Sequence, residues 1–154
     1  MHQVQVGDEL PPFDVPAVSA AAMKTMAALL RDPNPIHFDV DAARAAGLGD
    51  RVVNQGPTNV GYVMNLLLAW AGTPEAVRSL RVRFTGNVFA GDHVTARGRV
   101  RELTQDDDGA EVAVCDVWLE RDDGTRLVVG EAAVVPPSGG DGDTPDADLP
   151  SNER

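Results

Sequence analysis

The stretch from Gly56 to Gly72 restricts the fold more than any other part of the chain, because its apolar side chains leave almost no polar face. Pro57 suits a first helical turn, where its missing N–H would have no helical partner in any case, and Gly72 suits a stop. Between them Val60, Val63, Met64, Leu67, Leu68 and Ala71 follow the helical period, while Leu66 and Ala69 carry apolar surface onto a neighbouring flank. Such a helix needs cover nearly all round. From Leu80 onward the period changes: Leu80–Val88, His93–Leu103, Ala110–Glu120 and Arg126–Val135 are rich in β-branched residues and predict four successive strands. Turns at Ala90-Gly91-Asp92, Asp106-Asp107-Asp108-Gly109 and Asp122-Asp123-Gly124 separate them, and the Asp-Gly pairs favour tight hairpins. An antiparallel meander beside one long apolar helix buries both only if the sheet curls around the helix, an α+β arrangement.

Ahead of that helix, a Pro-rich lead-in (Leu10-Pro11-Pro12-Phe13) gives way to Ser19, which caps an Ala- and Met-rich helix ending near Arg31. Asp32 and Asn34 each precede a proline and are pushed out of the α region, so the helix stops there. A short helix from Val40 to Ala46 follows, with Asp39 as cap and Gly47 past its end. Beyond Pro137 the run Ser138-Gly139-Gly140-Asp141-Gly142-Asp143 stays polar to Arg154, too poor in apolar groups to offset ordering entropy. Residues 138–154 therefore read as a disordered acidic tail, and residues 1–137 as one domain, which fits a chain of 154 residues.

The formal net charge of −11 argues against nucleic acid or an anionic membrane surface as the main partner. A single cysteine, Cys115, excludes an internal disulfide framework and reads as a small buried hydrophobe within a strand. The amino end lacks the basic-then-apolar run of a secretory leader, and Val60 to Ala71 falls short of the roughly 20 residues that span a bilayer. A cytoplasmic protein without a membrane partner is expected. His2 and His93 stand apart from any cluster with metal-ligand spacing, so no metal is expected.

Residues suited to chemistry concentrate in Asp32-Pro33-Asn34-Pro35-Ile36-His37-Phe38-Asp39, followed by Ala42, Ala43 and Gly47, then Val52-Val53-Asn54-Gln55-Gly56. Taken singly, Asp32 reads as an ordinary Asp-Pro turn residue and His37 as a structural histidine. Together the pattern resembles the MaoC-like (R)-specific enoyl-CoA hydratases, whose signature is an Asp, four residues including Asn-Pro, a His, and a Val-x-x-Gly lead into the central helix. Phe89-Ala90-Gly91-Asp92-His93-Val94-Thr95-Ala96 and Val129-Gly130-Glu131-Ala132 are also similar to that family's later strands, so the resemblance runs from about Gly7 to Pro136.

The resemblance implies a hot-dog fold, an antiparallel sheet wrapped around a long central helix. It also implies reversible addition of water to a trans-2-enoyl-CoA, giving a (3R)-hydroxyacyl-CoA, with coenzyme A entering as part of the substrate and no bound cofactor. Asp32 would be the base toward water and His37 its partner in holding water and delivering a proton. A carboxylate and an imidazole suit that task, since an imidazole titrates near neutrality. Residues five apart on an extended strand point to opposite faces, so a turn at Pro33-Asn34-Pro35 must bring the two together. Negative charge on the thioester oxygen needs donors, and the N–H of Gly56 at a helix start is the candidate; one such donor is worth roughly 2.7–4 kcal/mol of barrier. The same glycine also reads as a plain helix cap. Asn34, Gln55 and Asn59 complete the candidate substrate-binding set.

Two positions depart from the family pattern. Gln55 stands where many hydratases have His, and Gly61 where they often have Ser, with Asn59 or Asn54 as candidates to replace the hydrogen bond of the missing hydroxyl. The segment from Val53 to Gly72 is similar instead to actinobacterial steroid-type hydratase subunits, which act on bulky CoA thioesters in mixed assemblies. Two rival readings follow: a non-catalytic or assembly-dependent subunit, and a thioesterase on the same fold. Arg81 and Arg83 share one strand face, as do Arg97, Arg99 and Arg101; each set is a solvated face or a contact for the phosphates of coenzyme A. A sheet edge left open calls for a second copy or a related hot-dog subunit.

Overall fold

A computed structural model describes residues 3–137, so both the expected tail and His2 lie outside the described residues. The elements run β1 (Phe13–Val15), α1 (Ala20–Leu30), a 3-10 turn (Pro35–His37), α2 (Val40–Ala45), α3 (Gly56–Ala71), a second 3-10 turn (Pro74–Ala76), β2 (Val77–Phe84), β3 (Val94–Gln105), β4 (Glu111–Arg121) and β5 (Arg126–Val134). The expected helix ends hold. Ser19 Oγ accepts from the Ala22 N–H at 3.1 Å, Asp39 Oδ1 accepts from the Asp41 N–H at 2.9 Å, and Gly72 closes α3 at φ 84°.

The sheet is antiparallel in the order β1-β3-β4-β5-β2. Its meander is β3-β4-β5, joined by the two Asp-Gly turns. The expected fourth member of that run behaves differently: β2 does not pair with β3 but crosses to the far side of β5. It is also shifted, ending at Phe84 rather than Val88. The reason is that the segment after Phe84 is needed elsewhere. Val88 O accepts from the Asn54 N–H at 2.8 Å, the Ala90 N–H donates to Val52 O at 2.9 Å, and the Gly91 N–H donates to Val18 O at 2.8 Å. The turn at Ala90-Gly91-Asp92 thus pins the approach to α3 instead of closing a hairpin. Strand β1 had no periodic signal, being three residues long.

Inward rows of the sheet, Val94, Ala96 and Val100 of β3, Cys115, Val117 and Leu119 of β4 and Val128, Ala132 and Val134 of β5, form one core with Val63, Leu66 and Leu67 of α3. All of these are essentially removed from water. The architecture is the hot-dog fold. Cover of α3 is less complete than its composition suggests: Gly61, Met64 and Leu68 are half-buried, and Asn65 and Ala69 are exposed along one flank. Close wrapping depends on a row in which glycine alternates with valine. Val82 pairs with Gly130, Gly130 with Val117, and Val117 with Gly98. A Cβ on Gly130 would lie 2.0 Å from Arg81 O, and one on Gly98 would lie 3.0 Å from Leu10 and 3.4 Å from Leu66 of α3.

His93, given no role by sequence, ties the short strand down. Its Nε2 lies 2.6 Å from Asp14 Oδ1 and its Nδ1 2.7 Å from Asp122 Oδ1, so it clamps β1 to the β4–β5 turn. The hydrogen bond to Asp14 raises the His93 pKa above its ordinary value, while the same bond, helped by Thr95, lowers that of Asp14. Among the described residues no helix is long and apolar enough to cross a membrane.

Two outcomes are expected. Gly130→Ala will lower the unfolding free energy by about 1–3 kcal/mol, an overpacking cost, because backbone rather than a flexible side-chain tip blocks the added methyl; chemical denaturation measures this. The His93 clamp stabilises fully below the ordinary histidine pKa and fades as pH rises through the raised one, whereas the Asp14 contribution fades in acid. The difference in Tm between the native chain and His93→Gln will therefore be widest near about pH 6 and shrink in alkaline buffer.

Candidate active site

The pair Asp32 and His37 is brought together by three successive local devices. Arg31 ends α1 in the left-handed region at φ 51°, and the Asp32 N–H donates back to Ala27 O at 2.9 Å. Asp32 Oδ1 then accepts from the Asn34 N–H at 3.0 Å, and Asn34 Oδ1 accepts from the Ile36 N–H at 3.3 Å, capping the 3-10 turn that Pro35 begins. This turn reverses the chain. His37 Nε2 consequently sits 3.3 Å from Asp32 Oδ2, with the imidazole buried and the carboxylate about one-third exposed.

The other ring nitrogen fixes what this contact can do. His37 Nδ1 lies 2.7 Å from Val53 O, and the Val53 N–H donates to Ile36 O at 3.0 Å, locking the 3-10 turn to the strand-like approach to α3. A carbonyl only accepts, so Nδ1 must carry a proton. A neutral ring then turns a bare Nε2 toward a carboxylate, which is two acceptors face to face. Either the ring holds a second proton on Nε2, or a molecule with two O–H donors, such as water, bridges the two groups. Both states suit proton transfer.

The remaining candidates occupy distinct places. Gly56 is the first residue of α3, and its N–H lies ahead of the helical hydrogen-bond ladder. Its Cα faces the ring of Phe84: a Cβ there would lie 3.2 Å from Cζ. Gln55 is buried, donating from Nε2 to Met23 O at 2.9 Å, while its Oε1 has no hydrogen-bond partner. Asn59 accepts from Asn54 Nδ2 at 2.8 Å, and Tyr62, which also bonds Asn54, has its pKa raised by burial. Asn34 is exposed and its side chain is engaged in the turn. A Cβ on Gly61 would meet nothing within 4 Å, so the flank of α3 is open there.

Asp32 lines one wall of a shallow cleft of about 490 Å³ shared with Lys24, Ala27, Ala28 and Phe38. Phe38 is unusually exposed for its size, as are Leu29 and Leu30 at the end of α1. The arginine sets lie on the outer face of the sheet, opposite the face that packs α3. Arg97 is held by Glu120 at 2.7 Å, and Arg101 bridges Asp116 and Glu131 at 2.7 and 3.0 Å. Arg81 and Arg83 line a groove on that face of about 720 Å³. Cys115 is buried, and burial pushes its thiol up to about 11. No group of three or more metal-capable side chains occurs among the described residues.

Sequence reasoning missed the Val53 carbonyl, Phe84 and Tyr62. Nothing marks a backbone acceptor in a sequence. Phe84 was placed inside an expected strand, when it is that strand's last residue.

With this geometry in place, the comparisons with known proteins are specific. The family model for the MaoC like domain matches residues 6–119, and the chain belongs to that family. No curated protein matches the sequence. Among solved structures, an (R)-hydratase from A. caviae involved in PHA biosynthesis shares 25% identity at a TM-score of 0.74, covering 89% of this chain and 100% of that one. The R-hydratase PhaJ1 from Pseudomonas aeruginosa shares 20% identity at 0.72, covering 87% and 83%. The ChsH1-ChsH2 complex from Mycobacterium tuberculosis is matched at 23% identity and 0.72, covering 87% of this chain and 99% of the matched chain.

Asn59→Ala will leave the buried Asn54 amide with Tyr62 as its remaining side-chain partner, at a cost of about 1 kcal/mol in urea unfolding. Asn59→Asp, which keeps an acceptor toward Asn54 Nδ2, will recover part of that loss.

Proposed function

We propose that this chain catalyses the reversible hydration of a trans-2-enoyl-CoA to a (3R)-hydroxyacyl-CoA, with Asp32 and His37 as its catalytic residues. The observation that carries this reading is the 3.3 Å contact between Asp32 Oδ2 and His37 Nε2, with Nδ1 committed to Val53 O. In the hydration direction the pair begins as carboxylate and imidazolium. Asp32 takes one proton from water as the water oxygen bonds to C3 of the enoyl group. The displaced electron pair moves through C2 onto the thioester oxygen, where the N–H of Gly56 receives the negative charge. His37 then gives its Nε2 proton to C2 as the carbonyl reforms. Asp32 ends protonated and His37 neutral, and transfer across their contact restores the starting state. The hydroxyl at C3 and the hydrogen at C2 are both delivered from the side of the Asp32–His37 pair, which makes the addition syn.

Coenzyme A enters as part of the substrate, and no resident cofactor is needed for any of these steps. Gln55 and Asn59 contribute through hydrogen bonds around the start of α3, and Asn34 through the turn that joins Asp32 to His37, rather than through the proton transfers. The reading places the protein in the cytoplasm, assembled as a homodimer or with a related hot-dog subunit. A second reading, activity only within a mixed assembly, is favoured by the open flank of α3 at Gly61 and by the engagement of Gln55 with Met23. The ChsH1-ChsH2 neighbour is itself a complex of two proteins.

A panel of enoyl-CoA esters of graded length and bulk tests the proposal by loss of the conjugated double bond. Asp32→Asn and His37→Gln will each lower kcat/KM by about 100-fold or more, the former with Tm nearly unchanged, since Asn retains the acceptor that caps the turn. Release of free CoA without hydration would instead assign a thioesterase. Unchanged turnover in both variants would remove the pair from catalysis.

A further inference from the structure

The groove of about 720 Å³ on the outer face of the sheet is separated from α3 by the sheet itself. Its volume falls within the range of about 300–1,000 Å³ that small-molecule sites occupy. Strand register builds it in two rows. One runs Arg81, Glu131, Asp116, Arg99 across β2, β5, β4 and β3, and the next runs Arg83, Val129, Trp118. Val129 is short beside its neighbours, so a slot opens between Arg83 and Trp118, which stand two strand spacings or about 10 Å apart.

Five arginines and two carboxylates line this groove in a chain of net charge −11. The carboxylates are already engaged, since Arg101 reaches Asp116 at 2.7 Å and Glu131 at 3.0 Å. Arg99 donates to Gly7 O at 3.2 Å, and Arg126 lies 4.3 Å over the Trp118 ring; neither pairs with a carboxylate among the described residues. The guanidinium groups of Arg81 and Arg83 make no ion pair or hydrogen bond with any described residue. Clustered like charges repel, and an anion entering the groove relieves that repulsion. Guanidinium forks match phosphate oxygens two at a time. Larger partners fit badly. A helix is about 10–12 Å across with its side chains, and a strand laid on the face of a sheet meets no free backbone groups.

We infer that this groove is a binding site for a small molecule carrying two or more phosphate groups, which Arg81 and Arg83 hold from one wall and Arg126 from beside Trp118. The site is separate from the candidate active site and does not rest on the hydratase reading. A single phosphate engages one wall only, so affinity rises with the number of phosphates.

Calorimetric titration of the full-length chain at low salt with tripolyphosphate, ATP and free coenzyme A tests this, with the emission of Trp118 followed in a Trp70→Phe background. Expected is one-to-one binding that strengthens from phosphate to pyrophosphate to tripolyphosphate, shifts Trp118 emission and weakens as salt is added. Arg81→Gln/Arg83→Gln should weaken it by about tenfold or more, and Arg81→Lys/Arg83→Lys should restore part of the loss. Val129→Glu, which sets a carboxylate on the floor of the slot, should abolish binding, and this variant decides the matter if the arginine variants do not fold. Tripolyphosphate bound as tightly as ATP and coenzyme A supports a site for the phosphate chain alone, and tighter binding of either nucleotide supports that one as the source. No binding of any of the three, or binding unchanged in a folded Arg81→Gln/Arg83→Gln or Val129→Glu chain, overturns the proposal. Asp32→Asn should bind tripolyphosphate as the native chain does, so this inference and the hydratase reading fail separately.

Discussion

Val63, Leu66 and Leu67 have no contact with water, and the structure depends on how they lose it. Three strands curve over them closely enough to exclude solvent because the central row of the sheet carries glycine at 98 and 130. A methyl group at Gly130 would collide with the backbone of β2. Removing roughly 25 cal/mol per Å² of apolar surface from water drives the wrapping, but the missing side chains are what let it reach contact distance. The direction of α3 follows, and with it the position of its amino end, where Gly56 and the approach through Val53 and Asn54 are held by Val52, Val88 and Ala90.

The candidate site is built by hydrogen bonds of short range in sequence and one of long range. Asp32 to Asn34 and Asn34 to Ile36 fold the Pro-rich loop back on itself, using acceptors that Asp and Asn side chains supply more readily than other residues. That brings carboxylate and imidazole near one another but leaves the imidazole free to rotate. Val53 O, sixteen positions away, removes that freedom and sets which nitrogen faces Asp32. The catalytic argument therefore rests on a main-chain oxygen whose position is set by the packing of α3. Fixing the geometry in advance of any substrate is what the proposed chemistry of the pair requires.

The outer and inner faces of the sheet have separated duties. Inward, the rows are small and apolar; outward, they carry arginines, carboxylates and Trp118, with Arg101 compensating both nearby acids. Arg99 on the interior β3 bonds only the Gly7 carbonyl, and Arg126 on β5 stacks over Trp118, so the outer face carries cations that no carboxylate among the described residues pairs. The edge strand and the start of α3 meet at Phe84, whose ring lies against Gly56.

Much of this was legible in the residues. The helix from Gly56 to Gly72, its flanking proline and glycine, the Asp-Gly hairpins and the Asp-Pro-Asn-Pro turn are local, and local steric and hydrogen-bond preferences wrote them into the sequence by themselves. The adjacency of Asp32 and His37 was anticipated for the same reason, since a turn of five residues closes on its own side chains. Strand order was not. β2 lies next to β5, some fifty residues on, while Val88, Ala90 and Gly91 hold Asn54, Val52 and Val18, and no periodicity encodes a choice between two possible neighbours. Nor could sequence reveal the Val53 acceptor, the clamp of His93 between Asp14 and Asp122, or Phe84 against Gly56. Each depends on backbone or side-chain groups brought together from far along the chain, and only tertiary packing decides which of them meet.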